Sequence, residues 1–84
     1  MVEKLAKFGW TAEAIILMGP GDKKTQFFLV ARETEAEVEA AVRRMPGIYP
    51  QDQVIVRASL SQWSIEATNL LVDEVRLYVP SQTP

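Results

Sequence analysis

The spacing of apolar residues changes several times along the chain, and each change marks the start of a predicted element. Apolar residues that alternate with polar ones indicate strands, whereas apolar residues three and four positions apart indicate helices. In residues 1–8, Val2, Leu5 and Ala6 have the helical spacing, and Gly9 follows where a short helix would end. The sequence therefore predicts an N-terminal helix.

Two apolar runs, residues 11–18 and 25–32, predict a β-hairpin. Both alternate, and both place apolar side chains on each of their two faces, which is typical of strands inside a sheet. Between them lies Gly-Pro-Gly-Asp at 19–22, where proline restricts φ at the second position and glycine allows a positive φ at the third, as a type II turn requires. We therefore expect an antiparallel hairpin at the centre of the sheet.

A capping box predicts where the next helix begins. Thr34 is followed three residues later by Glu37, so each side chain can bond to the backbone N–H of the other residue. An apolar stripe with helical spacing follows, consisting of Val38, Ala41, Val42 and Met45. We expect this helix to end at Pro46 and Gly47, and the alternation in residues 53–58 then predicts a third strand.

Residues 59–72 allow two interpretations. A stripe with helical spacing favours a helix capped by Ser59 or Ser61, and its members are Leu60, Trp63, Ala67, Leu70 and Leu71. The β-branched and aromatic residues within 63–68 favour a strand instead. We expect the helix, and the alternation in residues 75–79 predicts a last strand after it.

The predicted fold class is α+β, with an antiparallel sheet of about four strands and two or three helices in the order α-β-β-α-β-α-β. A hairpin followed by a helix and a third strand is half of a ferredoxin-like sandwich, in which the helices cover one face of the sheet. Because no strand precedes the first helix, the strand at 75–79 would have to supply that position, as in a circular permutation. We expect a single domain over residues 1–80 and a flexible tail over 81–84.

Composition narrows the possible chemistry. The 84 residues include no Cys and no His, which excludes disulfides, zinc sites built from thiolate or imidazole, and catalysis by thiols or imidazoles. A formal charge of -2 argues against nucleic acid as a partner. The longest apolar run, 14–18, is far shorter than the ~20 residues of a membrane span, and no secretory signal is recognisable. We expect a cytoplasmic protein without a metal, a cofactor, a nucleic-acid partner or a membrane anchor.

Arginines within predicted strands single out one face of the sheet. Arg57 and Arg76 alternate with the apolar residues of their strands, so both are expected on the face without helices. Phe28, Ile55 and Tyr78 are expected to share that face. Such a surface suits a second subunit or a small anionic ligand. The simpler interpretation is that the arginines face solvent and protect the sheet edges.

Further candidates lie in loops and in the ambiguous segment. Tyr49 is expected to be partly exposed, and Trp63 either packs in the core or lines an interface. Asp52 is close to Tyr49 in sequence, which raises the possibility of proton transfer between them. The lysines Lys23 and Lys24 follow the glycine turn, where an anion could bind. Their spacing matches no phosphate-binding fingerprint, so an ordinary solvated turn is expected.

These observations lead to one leading hypothesis and two alternatives. The leading hypothesis is a non-enzymatic interaction module that self-associates through an open sheet face, with a homodimer expected first. The first alternative is a small-ligand enzyme, in which Asp52 or Glu66 acts with Arg57 or Tyr78 on an anionic substrate in a pocket between sheet and helix. The second is a regulator that binds a larger protein through its acidic helix face. The candidate ligand or interface residues are Arg57, Tyr78, Arg76, Phe28, Ile55, Tyr49 and Trp63.

Overall fold

The computed structural model describes residues 4–79, and the predicted tail at 81–84 lies outside this range. Within it the fold is α+β with four strands and two helices, which confirms the predicted class. In chain order the elements are β1 (Trp10–Gly19), β2 (Asp22–Val30), α1 (Glu35–Arg43), β3 (Gln53–Ser59), α2 (Gln62–Thr68) and β4 (Val75–Tyr78).

The sheet is antiparallel throughout, and its strand order is β3-β1-β2-β4. The β1–β2 hairpin occupies the two central positions, as predicted. Its turn contains Pro20 and Gly21, and the φ of Gly21 is 80°, a left-handed value that glycine adopts without a steric penalty. The ferredoxin-like order is not confirmed, because β4 lies at the edge beside β2 and does not separate β3 from the hairpin.

Helix α1 begins at the predicted capping box. The backbone N–H of Glu37 donates to the Thr34 hydroxyl at 3.2 Å, and the Thr34 N–H donates to the Glu37 carboxylate at 3.2 Å. The helix then packs its apolar stripe on one face of the sheet. The fully buried members of this core are Ala12, Ala14, Phe28, Val30, Val38, Ala41 and Val42.

Helix α2 confirms the helical interpretation of the ambiguous segment, although it is shorter than predicted. The Ser61 hydroxyl caps it by accepting from the Ser64 N–H at 3.1 Å, and it ends at Asn69, which has a left-handed φ of 56°. Asparagine tolerates this conformation better than most residues do. The alternative of a strand within residues 63–68 is therefore wrong.

The two helices lie against opposite faces of the sheet, which differs from the predicted arrangement. Ile65 of α2 packs with Leu29 and Tyr78, whose side chains leave β2 and β4 on the side away from α1. The strand order explains this difference. The chain must cross from β3 at one edge to β4 at the other, and α1 already covers the first face.

The segment at 4–9 is extended, so the predicted N-terminal helix is absent from the described residues. Leu5 forms an isolated bridge with Leu71, and the Ala6 N–H donates to the Leu70 carbonyl at 2.8 Å. Pairing with a distant segment thus satisfies the backbone groups that a helix would have satisfied locally. Gly9 is needed for close packing, because a Cβ there would lie 2.9 Å from a methyl carbon of Leu60.

Candidate functional site

The sheet surface away from α1 is only partly covered, and we call its uncovered part the open face. One row of side chains crosses all four strands, because Ile55 pairs with Glu13, Glu13 with Phe27, and Phe27 with Tyr78. Helix α2 reaches only the end of this face near Leu29. The open face consists of Glu13, Ile15, Leu17, Thr25, Phe27, Gln53, Ile55, Arg57 and Tyr78.

The open face is largely apolar. Ile15, Phe27, Ile55 and Tyr78 are half-buried, and Leu17 is exposed. The rings of Phe27 and Tyr78 form a tilted pair with centroids 6.0 Å apart, a geometry favoured by aromatic quadrupoles. A contiguous patch of this kind on a small protein is typical of an interaction surface.

A single ion pair lies within this apolar surface. Glu13 projects from central strand β1, and its side chain is only 15% exposed. The Nε atom of Arg57 on edge strand β3 donates to the Oε2 atom of Glu13. Each charge therefore neutralises the other, and the arginine, which is 56% exposed, covers the carboxylate from the solvent side.

The phenol of Tyr78 completes the row. Its pKa is raised above the ordinary value of 10.0, first because burial disfavours the phenolate and then because of the negative charge of Glu13. Tyr78 is therefore protonated near neutral pH. On this face it supplies apolar ring surface and a hydroxyl that can donate a hydrogen bond.

Arg76 was predicted to line the same face, but its guanidinium is engaged elsewhere. It donates to both carboxylate oxygens of Glu74, at 2.9 and 2.8 Å, and to the carbonyls of Thr68 and Asn69 at the end of α2. The hydrogen bond from Arg76 is the main cause that lowers the pKa of Glu74, and a bond from the Leu71 N–H adds to it. Arg76 thus links α2 to β4, and its guanidinium is not available to a ligand.

Phe28 was also predicted on the open face, and this placement is wrong. It is 1% exposed and lies under α1, opposite Ala12 of β1. The small side chain of Ala12 leaves room for its ring, and Phe27 occupies the open face instead. Phe27 and the central Glu13 are thus open-face residues that were not predicted from the sequence. The alanines at alternate positions of β1 were the signal, since they mark the face that must also accommodate a helix.

Asp52 has a structural role. Its carboxylate is buried, at 2% exposure, and accepts from the backbone N–H of Tyr49 at 2.8 Å and of Leu17 at 3.2 Å. The contact with Tyr49 involves its backbone, whereas its side chain is exposed, as predicted. Both carboxylate oxygens are thus occupied, so the arrangement does not support proton transfer between Asp52 and the Tyr49 phenol. It attaches the loop at 48–52 to β1.

The two tryptophans have different environments. Trp63 projects from α2 and is 76% exposed, so of the two alternatives given for it, packing in the core is wrong. Trp10 is half-buried against the core beneath α1, and its indole N–H donates to the Glu33 carbonyl at 3.2 Å. Trp63 remains a candidate interface residue, but nothing connects it to the open face.

The described residues contain no cluster of three or more acidic side chains that could hold a metal ion. Within residues 4–79, no helix is long and apolar enough to span a bilayer. Comparisons with protein-family models, curated proteins and solved structures found no match. The shape and chemistry of the open face are therefore the basis for assigning a function.

Proposed function

We propose that this protein is a non-enzymatic interaction module that self-associates as a homodimer through the open face. The observation that supports this most is an apolar sheet surface, formed by Ile15, Phe27 and Ile55, that neither helix covers and that Tyr78 borders where α2 packs. Burying such a surface in a second copy removes apolar area from water, which is the main favourable term in protein association. Within residues 4–79, the chain has no further helix or strand that could cover this surface.

The charges on the open face favour a second copy as the occupant. Each copy carries one Glu13 and one Arg57, so two copies related by a twofold axis can place Arg57 of each beside Glu13 of the other. The same patch then complements itself in charge. An unrelated partner would need a matching pair of opposite charges.

The size of the open face determines how strong the proposed dimer should be. Four strands at about 4.8 Å spacing and five residues of β1 span roughly 19 by 17 Å, or about 300 Å² in projection. This is small beside the ~800 Å² that each partner buries in a standard interface. We therefore expect a weak dimer, with a dissociation constant on the order of micromolar or higher.

The enzymatic alternative has less support. It requires a carboxylate and an arginine that are available to an anionic substrate. In the structure the Asp52 oxygens accept from backbone N–H groups and Arg57 binds Glu13, so a substrate would have to displace one of these bonds. Glu66 is exposed on α2, where Gln62 donates to it at 3.4 Å, and it does not line the groove beside Tyr78.

Sedimentation velocity from about 1 µM to about 1 mM tests self-association. We expect the mean mass to rise with concentration for the wild type and for Val72→Lys, a control at an exposed residue outside the open face. Ile55→Lys should remain monomeric, because it places an unpaired charge in the contact. A strictly monomeric wild type over this range would refute the proposal, and so would equal dimerisation of the two lysine variants.

Charge exchange tests the twofold pairing. The double variant Glu13→Arg, Arg57→Glu keeps an ion pair within each copy and between identical copies. Mixed with wild type, it would place like charges opposite each other, so we expect few mixed dimers by native mass spectrometry. Statistical mixing of the two proteins would contradict the proposed pairing.

A further inference from the structure

Strand β2 extends well beyond its neighbour on one side. It has nine residues, whereas β4 has four, and β4 pairs only with the stretch from Phe27 to Val30. On the other side β1 accompanies β2 down to Asp22. Residues 22–26 therefore have no strand beside them at the β4 edge within the described part of the chain.

The hydrogen-bond directions show which backbone groups this edge presents. The Ala31 N–H donates to the Glu74 carbonyl at 2.8 Å, so Ala31 directs its backbone groups toward the β4 side. In an antiparallel strand this direction alternates from one residue to the next. Phe27, Thr25 and Lys23 therefore direct their N–H and C=O groups the same way. Phe27 pairs with Tyr78. Among the described residues, the N–H and C=O groups of Thr25 and Lys23, two donors and two acceptors, therefore have no strand partner at this edge.

A groove of about 730 Å³ lies along this edge. It is lined by residues 24–27 of β2 and by residues 77–79 at the end of β4. An added strand would find apolar ring surface at one end and backbone hydrogen-bonding groups along its length. This combination is the recognition mode of β-strand addition, in which the backbone supplies affinity and side-chain contacts supply specificity.

Continuation of β4 along the groove is unfavourable. If β4 continued in register past Tyr78, Pro80 would stand opposite Thr25, where the strand must donate a hydrogen bond. Proline has no N–H, so it cannot satisfy the Thr25 carbonyl. A second copy paired edge to edge about a twofold axis would bring Lys23 and Lys24 of both copies together, which is unfavourable.

The same lysines indicate the character of a suitable occupant. Neither Lys23 nor Lys24 forms a salt bridge with a carboxylate among residues 4–79. Their side chains lie on opposite faces of β2, because they are consecutive in a strand. Acidic side chains on an added strand could therefore pair with a lysine on either face, while an apolar side chain packs on Phe27 and Tyr78.

We propose that the free edge of β2 at residues 22–26 binds an extended acidic segment of another protein by β-strand addition. The segment pairs its backbone with Thr25 and Lys23 and its carboxylates with Lys23 and Lys24. This site is distinct from the dimer contact, which uses side chains of the open face. Thr25, Phe27 and Tyr78 belong to the open face as well, so the test at Thr25 compares two variants that both lose its side chain and differ only in the backbone N–H.

Selection from a phage-displayed library of short random peptides, with the full-length protein immobilised, tests this proposal. We expect enrichment of peptides that combine acidic and β-branched residues. Binding measured by fluorescence anisotropy should weaken at least about tenfold in Thr25→Pro, which removes an N–H at the free edge. Thr25→Ala is the matched control, since it keeps that N–H and should bind like the wild type.

Charge reversal provides a second test that leaves the backbone unchanged. The double variant Lys23→Glu, Lys24→Glu should lose the selected acidic peptides, whereas Lys7→Glu, at an exposed lysine away from the groove, should retain them. Amide chemical shifts on peptide addition should change most within 22–28 and 77–79. A library that yields no acidic peptide, or peptides that bind Thr25→Pro and the charge-reversed variant as they bind the wild type, would overturn the proposal. Tighter peptide binding after deletion of 80–84 would instead identify the chain's own end as the occupant and also overturn it.

Discussion

Replacing Asp52 with alanine should destabilise the fold strongly, although its buried carboxylate is part of neither proposed surface. The substitution removes a carboxylate that is 2% exposed and leaves the N–H groups of Leu17 and Tyr49, at 3.2 and 2.8 Å from it, without their acceptor in a part-buried environment. A donor left without an acceptor in a buried environment costs about 1–3 kcal/mol, so losing two bonds should lower the free energy of unfolding by roughly 2–6 kcal/mol. Because both bonds are part-buried, the lower half of that range is expected. That is a large part of the total of about 5–15 kcal/mol typical of a domain.

Asp52→Asn provides a graded comparison. Its amide keeps one acceptor oxygen and turns an NH₂ group toward the other backbone donor, so about half of the loss, roughly 1–3 kcal/mol, is expected. Urea unfolding monitored by circular dichroism gives both values, and Asp22→Ala is the control because Asp22 is exposed. Faster hydrogen exchange at the Leu17 amide should accompany the loss. If Asp52→Ala unfolded within about 0.5 kcal/mol of the wild type, the structural role derived for this carboxylate would be refuted.

Three further predictions concern pH and capping. The hydrogen bond from Arg76 holds the pKa of Glu74 below its ordinary value of 4.5 in the folded state. Ionised Glu74 therefore stabilises the fold above pH 4.5, and this stabilisation is lost as the pH falls through the folded pKa. In urea unfolding, the free energy of unfolding of Glu74→Gln should fall less steeply with decreasing pH than that of the wild type. Because the pKa of Tyr78 is raised, its phenol should ionise above pH 10.0. Ultraviolet absorbance can follow this in Tyr49→Phe, in which Tyr78 is the remaining tyrosine. The free energy of unfolding should fall as the pH rises from 10.0 through the folded pKa. A normal phenol titration in that variant would contradict the burial of Tyr78. Thr34→Ala removes the capping box and should cost about 1 kcal/mol in urea unfolding, and no measurable change would show that the cap contributes little.

The open face and the free edge of β2 are neighbouring surfaces with different modes of contact. Side chains carry the proposed dimer contact, whereas the backbone of Thr25 and Lys23 carries the proposed peptide contact. A change at Ile55 should therefore affect the mass of the protein in solution and leave peptide affinity unchanged. Thr25→Pro should weaken peptide binding, and because Thr25 also belongs to the open face, Thr25→Ala shows how far loss of its side chain alone changes the mass. The two proposals can thus fail independently.

Arginines illustrate how far candidate residues could be predicted from the sequence. The alternation of β3 correctly placed Arg57 with Ile55 on the face away from α1. The alternation of β4 likewise predicted that Arg76 would be available on this face. Its long side chain instead reaches the end of α2, where it donates to the carbonyls of Thr68 and Asn69. Alternation determines the direction in which a side chain leaves a strand. It does not determine what lies within reach of a flexible arginine.

The sequence by itself determined the features whose causes lie within a few residues. The capping box at Thr34, the glycine turn of the hairpin and the alternation of the strands depend on neighbouring backbone groups, so each could be predicted without knowledge of the partner elements. Only the tertiary structure decided the strand order and the extended form of the segment at 4–9. These depend on pairing between residues far apart in the chain, such as Leu5 with Leu71, and local spacing carries no information about that pairing. The open face is therefore a consequence of tertiary structure, because α1 covers one side of the sheet while α2 reaches only the end of the other.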